Sequence, residues 1–339
     1  MTRGAALAVL LALLAPPRVL AEDPPAGGPF EWREHWLLAQ GRLTLPPVSP
    51  DILPKGAWAI TADGDWGNDL GWRQPRPGES AVGRSFLVDG EHRTFSLAAR
   101  RGLGRGLDVG VRLPLEWRGG GILDGVIDWF HGFTRKLGLP DNFRTRFATN
   151  LLRVDLYQAG RHLAWDDSPG TGLGRIELFG RWSLLASKET RLALVLRAAP
   201  PTGTGPFAAG GMAAAAQLSA ARRIGASADL FGGVGVSVGD QRREGDVEYA
   251  PVRPEAFLAL ERRLSRRWSV LAQSNAAGRL VTNVDHYPWI QWYLSLGARL
   301  RMDSGWALEG GFTENIAEQQ ATTDFGVQLG LTRRLPSRR

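Results

Sequence analysis

The sequence predicts an all-β fold, a transmembrane antiparallel β-barrel of about 12 strands with one amphipathic helix and a hairpin in a long outer loop. Three observations lead to this prediction. Apolar and polar side chains alternate with a period of two along most of the chain, and long and short connections alternate between the resulting strands. A segment with the form of an export signal precedes them. Together these features are typical of a bacterial outer-membrane barrel.

Residues 1–21 have the form of a cleaved secretory signal peptide. Arg3 precedes an apolar run, and Val19-Leu20-Ala21 offers a small-residue cleavage site. Cleavage would remove two arginines and no acidic residue, so the formal net charge would fall from +7 to +5 (39 basic minus 34 acidic residues). The chain has no cysteine, which excludes disulfides and a lipid-bearing N-terminal cysteine. The predicted location is the bacterial outer membrane.

The basic charge of the exported chain bears on its partners. Basic proteins often bind nucleic acid, but export takes this chain away from it, and anionic lipopolysaccharide or an acidic solute suits the charge better. The predicted partners are outer-membrane lipid and lipopolysaccharide, the barrel-assembly machinery and a small solute. No nucleic acid and no cofactor is predicted.

Residues 289–301, WIQWYLSLGARLR, show the two-faced pattern most clearly. Alternate side chains of a strand face opposite sides, so one face here is apolar and the other carries polar and small residues. A strand of a membrane barrel needs this pattern because one face meets lipid and the other meets water. The predicted strands are 56–67, 84–100, 106–117, 172–186, 190–199, 212–223, 226–238, 251–264, 267–277, 289–301, 305–315 and 324–335.

The connections between these strands alternate strictly in length. Short turns such as 187–189 separate long loops, of which 118–171 is the longest. Bacterial barrels have tight periplasmic turns and longer outer loops, and an even strand number puts both termini on the periplasmic side. Residues 148–163 also resemble two strands, but counting them in the wall would break the alternation. We therefore expect a hairpin inside the large outer loop.

The last strand resembles the C-terminal insertion signal of bacterial outer-membrane barrels. Residues 324–331, DFGVQLGL, follow its order of polar, glycine and apolar positions, which predicts contact with the barrel-assembly machinery. The barrel is expected to span 55–335, and residues 336–339 form a short basic tail after it.

The large outer loop contains a predicted amphipathic helix. Apolar residues recur at helical spacing between Ile122 and Leu137, and Asp124, Asp128 and His131 share the opposite face. The spacing of these three could hold a metal, but a solvated polar face is the favoured interpretation and no metal site is predicted. The helix would either rest over the barrel mouth or lie in the outer-leaflet interface.

The same loop carries a resemblance to a known family. Its motif GGGxLDGxIDxFHxxxxxLGLP, from Gly119 to Pro140, is similar to that of uncharacterised proteobacterial proteins known only as a domain of unknown function and grouped with outer-membrane barrels. The resemblance covers about 28–335 and is supported by Gly28-Pro29, 89–91 (DGE) and 201–203 (PTG). It implies a barrel in the outer membrane and no particular activity.

Residues 22–54 precede the first wall strand. Four prolines make a continuous strand improbable there, while Trp32 and Trp36 need burial. The segment could enter the lumen as a plug or pack on the periplasmic rim, and the sequence leaves both open.

Charged residues on the inward faces of the strands are the candidate functional residues. Arginines could hold an anionic solute, or the arginines and glutamates could form a structural network that fills the barrel. The candidates are Arg112, Arg175, Arg181, Arg263, Arg299, Arg301, Glu116, Glu177 and Glu309.

Three functions are consistent with this sequence. The leading one is a narrow or gated pore, or a binding barrel, for small anionic or amphipathic solutes. The first alternative is a non-transporting structural or surface protein of the envelope, and the second is an outer-leaflet lipid-modifying enzyme. Ser274 and His286 could approach each other, but without a GxSxG motif we expect no catalysis.

Overall fold

The computed structural model describes residues 27–73, 85–125, 129, 132, 149–208, 210–239, 242–315 and 321–337. Seventeen strands are present in these residues, and nearly all of them join one antiparallel sheet. The strands are β1 (Trp58–Arg73), β2 (Phe86–Gly104), β3 (Leu107–Gly119), β4 (Arg153–Gln158), β5 (Arg161–Leu163), β6 (Gly170–Leu173), β7 (Glu177–Ala186), β8 (Thr190–Ala199), β9 (Ala213–Ile224), β10 (Ala228–Gly239), β11 (Arg243–Glu244), β12 (Val247–Glu248), β13 (Val252–Arg263), β14 (Trp268–Gly278), β15 (Ile290–Arg301), β16 (Trp306–Asn315) and β17 (Phe325–Leu335).

Twelve of these strands close into a barrel. The first strand, β1, pairs with β2 on one side and with the last strand, β17, on the other, so the sheet has no free edge around the wall. The strands β4, β5, β6, β11 and β12 lie outside this wall. The predicted class, a twelve-stranded antiparallel barrel, is confirmed.

The two ends of the barrel differ. One end, the short-turn end, carries the tight turns together with the start of β1 and the end of β17. The long connections lie at the opposite end, the long-loop end. The predicted hairpin is present there as β4 and β5, and β4 pairs with Phe86–Asp89 of β2, which extends the sheet beyond the wall.

Some boundaries differ from the prediction. Strand β1 continues to Arg73, past the predicted end at Gly67, because β2 pairs with it over its whole length. The predicted strand 172–186 is two strands, β6 and β7. Both pair with β3, β6 with the residues after Pro114 and β7 with the residues before it. Proline has no NH for the ladder, and the chain crosses this point irregularly.

Little of the predicted loop helix falls in the described residues. Residues 123–125, 129 and 132 are helical, whereas Asp128 and His131 lie outside the described part of the chain. In the residues that the structure describes, no helix is long and apolar enough to cross a membrane.

The outer surface of the wall is apolar and is bounded by tryptophans. Large aliphatic side chains in the middle of the strands are exposed on the outside, Leu196, Leu218 and Leu258 among them. Tryptophans and arginines sit near both ends, with the Arg101 guanidinium 5.4 Å from the ring centroid of Trp58 and that of Arg279 5.2 Å from Trp289. Such an apolar band between two aromatic girdles matches the lipid-facing surface of a membrane barrel.

Candidate functional site

The lumen of the barrel is occupied by residues 27–53, which run along it in a U shape. The rising arm starts at the short-turn end, where the backbone NH of Gly28 donates to Glu261 Oε2 at 2.8 Å. It reaches the long-loop end at Leu37, whose NH donates to Asp69 Oδ2 at 2.6 Å. Wall carboxylates thus satisfy backbone groups that would otherwise be buried without a partner.

The falling arm returns along other strands to the short-turn end. The NH of Leu45 donates to Glu255 Oε2 at 3.0 Å, and the carbonyl of Val48 accepts from Ser219 at 2.5 Å. Close to β1, the NH of Leu53 donates to Asp108 at 2.9 Å. The segment is therefore bound to the wall on both arms through side chains of the wall.

An apolar cluster closes the long-loop end over the tip of the U. The tip is a short 3-10 helix, Leu37–Ala39, which is fully enclosed by loop residues and by the hairpin β4–β5. Buried side chains of this cluster come from segments far apart in sequence and include Trp36, Leu37, Leu38, Phe86, Leu156, Leu163, Tyr249, Val281, Val284 and Tyr287.

Two ion pairs hold the rising arm in mid-barrel. Both terminal nitrogens of Arg33 donate to the Glu177 carboxylate, one at 2.8 Å, and Arg197 donates to the same carboxylate at 3.0 Å. Glu34 pairs with Arg253 and accepts from the hydroxyl of a neighbouring tyrosine at 2.9 Å. Burial opposes the charge on Arg33, but the adjacent Glu177 outweighs it and raises the pKa of Arg33.

A second network lies at the short-turn end. Arg299 donates twice to Glu309 Oε2, at 2.9 and 2.7 Å, and once to Glu261 at 3.0 Å. It also donates to the carbonyl of Gly28 at 3.0 Å. Arg301 also donates to Glu261. Glu261, Arg299 and Arg301 are buried and Glu309 is partly buried, and each of them lies against an opposite charge.

Arg181 links the falling arm to the wall. It makes two hydrogen bonds to the Asp108 carboxylate at 2.9 Å, and it donates to the carbonyls of Ser49 and Asp51 at 3.1 and 2.9 Å. One guanidinium therefore binds the backbone of the falling arm and a carboxylate of the wall at the same time, because its planar group presents several donors in fixed directions.

The other predicted lumen residues also have partners. Arg112 donates to Asp63 at 2.6 Å, and Arg263 lies 3.4 Å from an aspartate of β10. Arg175 lies in the irregular stretch between β6 and β7 and donates to the carbonyl of Gly211 at 2.7 Å. Glu116 is 3.4 Å from a histidine of β2. The predicted set thus forms several separate networks around the lumen segment.

Two histidines meet where the rising arm crosses β2. The rings of His35 and His92 are 5.4 Å apart, and Trp32 contacts His35 edge-on at 4.5 Å. Burial, with the nearby His92, Arg112 and Arg33, lowers the pKa of His35 well below its usual range. The imidazole of His35 is therefore neutral at pH 7.

A cavity of about 260 Å³ remains between the arms and the wall at the short-turn end. Its lining is rich in charge, with eight arginines and four acidic residues, and it includes apolar surface from Phe179, Met302 and Trp306. The arginines are Arg33, Arg100, Arg112, Arg181, Arg197, Arg299, Arg301 and Arg334, and the acidic residues are Glu31, Asp63, Asp65 and Glu309.

The structure also places the remaining predicted residues. Asp124 is buried on the outer side of the wall, away from the lumen, where it accepts from Asn68 at 3.0 Å. Ser274 faces outward and accepts from Trp292 at 2.5 Å, while His286 is exposed in a loop at the long-loop end. Among the described residues, no three side chains are grouped so as to hold a metal ion.

Sequence reasoning found Glu177, Arg181 and Arg299 but missed other residues that join the lumen segment to the wall. Arg33 and Glu34 lie outside any strand pattern, so nothing in the period of two singled them out. Arg253 could have been found, because it shares the inward face of β13 with Glu255 and Glu261. The pairing of a loop residue with a wall residue depends on the path of the chain through the barrel.

The chain is similar to known proteins as follows. A family model described as "Protein of unknown function (DUF3187)" matches residues 15–335. Among solved structures, the COG4313 outer membrane channel from Pseudomonas putida F1 superposes with a TM-score of 0.58 at 12% identity, over 86% of this chain and 100% of that one. The NanC porin gives a TM-score of 0.46 at 4% identity, over 82% and 100% of the two chains. No curated protein matches the chain. The first superposition supports the fold, and the second is too weak to support any argument.

Proposed function

The chain belongs to the DUF3187 family of proteins of unknown function, and we propose that it is a narrow gated channel of the bacterial outer membrane, closed here by its own residues 27–53. In this proposal the segment is a plug. The solutes are small and anionic or amphipathic, and they pass the arginine-rich lumen when the plug is displaced. Export by a cleaved signal peptide and insertion by the barrel-assembly machinery are part of the same proposal.

One observation carries the gating part. Within the described residues, no backbone–backbone hydrogen bond joins residues 27–53 to a wall strand, and the hydrogen bonds between this segment and the wall all involve a side chain. The wall is closed by its own ladder, from β1 around to β17. Displacement of the segment would therefore leave the barrel hydrogen bonds intact, whereas removal of a wall strand would not.

The cavity at the short-turn end supports the choice of solute. Its volume of about 260 Å³ suits a small solute, and arginines outnumber carboxylates on its lining by eight to four. Guanidinium groups bind carboxylates and phosphates through paired hydrogen bonds. Apolar surface beside them would accommodate the body of an amphipathic solute.

The second candidate is a non-conducting envelope barrel. It is favoured by the pairing of the buried charges, since Glu177, Glu261 and Asp108 each bind two arginines or an arginine and a backbone NH. A network satisfied to this degree would serve stability without any transport.

The deciding experiment locks the plug to the wall. A Cβ at Gly67 would lie 2.5 Å from His35 Cβ, so a shift of about 1 Å would bring this pair to disulfide distance in the otherwise cysteine-free chain. The refolded variant with His35→Cys and Gly67→Cys would be measured in planar bilayers before and after reduction, beside both single variants and a chain lacking residues 27–53.

The gated-channel proposal expects the oxidised protein to be silent and the reduced protein to open, and it expects the deletion to conduct steadily with anion preference. Silence of every variant, with folding verified by heat-modifiable migration on gels, would leave the non-conducting barrel.

A further inference from the structure

The chain leaves the barrel wall at Gly119 and turns back onto the outer side of the wall. Three consecutive glycines make this turn. A Cβ at Gly119 would lie 2.6 Å from the Trp117 ring, one at Gly120 would overlap the carbonyl of Asn150, and one at Gly121 would overlap the Glu91 carboxylate. Gly121 also has a φ of 74°, which glycine adopts without strain. Only glycine permits so close an approach of the loop to the strands.

Two buried carboxylates fasten the loop after this turn. Glu91 accepts from the NH of Leu123 and from Trp66 Nε1 at 2.7 Å, and Asp124 accepts from Asn68 Nδ2 at 3.0 Å. Glu91 and Asn68 are fully buried although they lie on the outward face of the wall. The loop covers them. We call Glu91, Asn68, Leu123 and Asp124 the outer anchor.

The register of β1, β2 and β3 fixes the position of the outer anchor. Asn68 is opposite Glu91, and the next outward pair is Trp66 and Arg93, with Trp117 opposite on β3. The guanidinium of Arg93 lies between the two rings, 4.1 Å from one centroid and 4.2 Å from the other. Two residues of a strand span about 7 Å, so the anchor lies that far beyond the outer aromatic girdle.

We infer that residues 120–125 and Trp129 lie against the outer leaflet of the membrane beside the barrel, and that they do not cover the barrel mouth. The lipid that these residues contact is the headgroup region of the outer leaflet, at and just beyond the aromatic girdle. The outer anchor continues the lipid-facing surface of the wall, and Asn150, in the next described stretch, which starts at residue 149, returns to the same place because its NH donates to Asp124 at 2.5 Å. Both ends of the excursion are thus tied outside the lumen.

Exposed apolar side chains of the loop fit this placement. Ile122 is 67% exposed and Trp129 is 72% exposed, beside buried Leu123 and Asp124. Tryptophan is favoured at the headgroup level of a bilayer, and an interfacial helix buries its apolar face there. The mouth of the barrel is filled without residues 120–125, since the tip cluster around Leu38, with the hairpin β4–β5, closes it.

Spin labels can test this placement because the chain contains no cysteine. Single-cysteine variants at Trp129 and Ile122 would be labelled with a nitroxide and refolded in phosphatidylcholine vesicles. Accessibility to oxygen, which concentrates in lipid, is compared with that to a water-soluble nickel chelate. Leu218→Cys on the outer wall is the lipid reference, and Thr282→Cys in a long loop is the aqueous reference.

We expect labels at Trp129 and Ile122 to favour oxygen over the nickel chelate, as the label at Leu218 does. Labels at both positions that behave like the one at Thr282 would overturn the inference. A Leu218 label accessible to nickel would refute the membrane placement of the whole barrel and this inference with it.

The outer anchor is tested by two further variants that carry the Trp129 label. Gly121→Ala brings a Cβ into the Glu91 carboxylate, and Asp124→Asn weakens the contact with Asn68 more gently. Both should shift the label towards nickel accessibility while the barrel still migrates as a heat-modifiable band. An unchanged label in both variants would show that the anchor does not hold the loop on the membrane.

Discussion

Replacement of Glu177 by glutamine should loosen the plug. The Glu177 carboxylate accepts hydrogen bonds from Arg33 on the rising arm and from Arg197 on the wall. The side chain of Glu177 is 7% exposed, that of Arg33 is 12% exposed and that of Arg197 is 2% exposed. Glutamine keeps the shape but removes the charge, which leaves two guanidinium groups facing each other in the lumen. The displaced segment would carry Arg33 into water and relieve this repulsion.

The magnitude follows from the burial of these groups. Removal of one partner from a buried ion pair costs about 3–5 kcal/mol, of which we assign about 3 kcal/mol to seating of the segment because Arg197 stays in the lumen in either state. At about 1.4 kcal/mol per factor of ten, the ratio of displaced to seated segment should rise about 100-fold.

Two measurements report the ratio of displaced to seated segment. Channel open probability in planar bilayers should rise, and so should the rate at which a maleimide modifies Leu38→Cys, a fully buried position at the tip of the U. Glu189→Gln removes an equal charge from an exposed turn and should change neither. If Glu177→Gln folds normally and Leu38→Cys reacts at the unaltered rate, the ion pair does not hold the segment and the reasoning fails.

Two further predictions concern pH and the falling arm. The pKa of His35 is lowered in the seated segment, so between that pKa and the ordinary value of about 6.5 a displaced segment binds a proton that the seated one does not. Seating should therefore weaken as pH falls below about 6.5, by up to about 1.4 kcal/mol per unit. Maleimide modification of Leu38→Cys should accelerate accordingly, and His35→Phe should remove this dependence. Arg181→Gln removes the guanidinium that makes two hydrogen bonds to the buried Asp108 carboxylate, and it should lower the stability of the barrel by about 3 kcal/mol. The heat-modifiable band on gels should then convert to the unfolded form at a lower temperature. An unaltered transition temperature would mean that this contact contributes little.

Sequence periodicity determined most of the wall. Outward side chains contact lipid and inward side chains face the lumen, so residues such as Leu294 and Arg299 had to fall on opposite faces of their strand. Turn residues marked the ends of the strands. The length of β1 escaped this reasoning because its last residues pair above the membrane zone, where both faces of the ladder are covered by protein and the alternation no longer signals solvent.

The sequence alone thus determined a twelve-stranded barrel, with its tight turns, its loop hairpin and a basic inward face, because a local period of two encodes each strand. Only the tertiary structure decided what occupies the lumen. Arg33 meets Glu177 across 144 positions of the chain, and Asp124 meets Asn68 on the outer face instead of the mouth. Such contacts depend on the path of irregular backbone through a closed barrel, and no local pattern of side chains specifies that path.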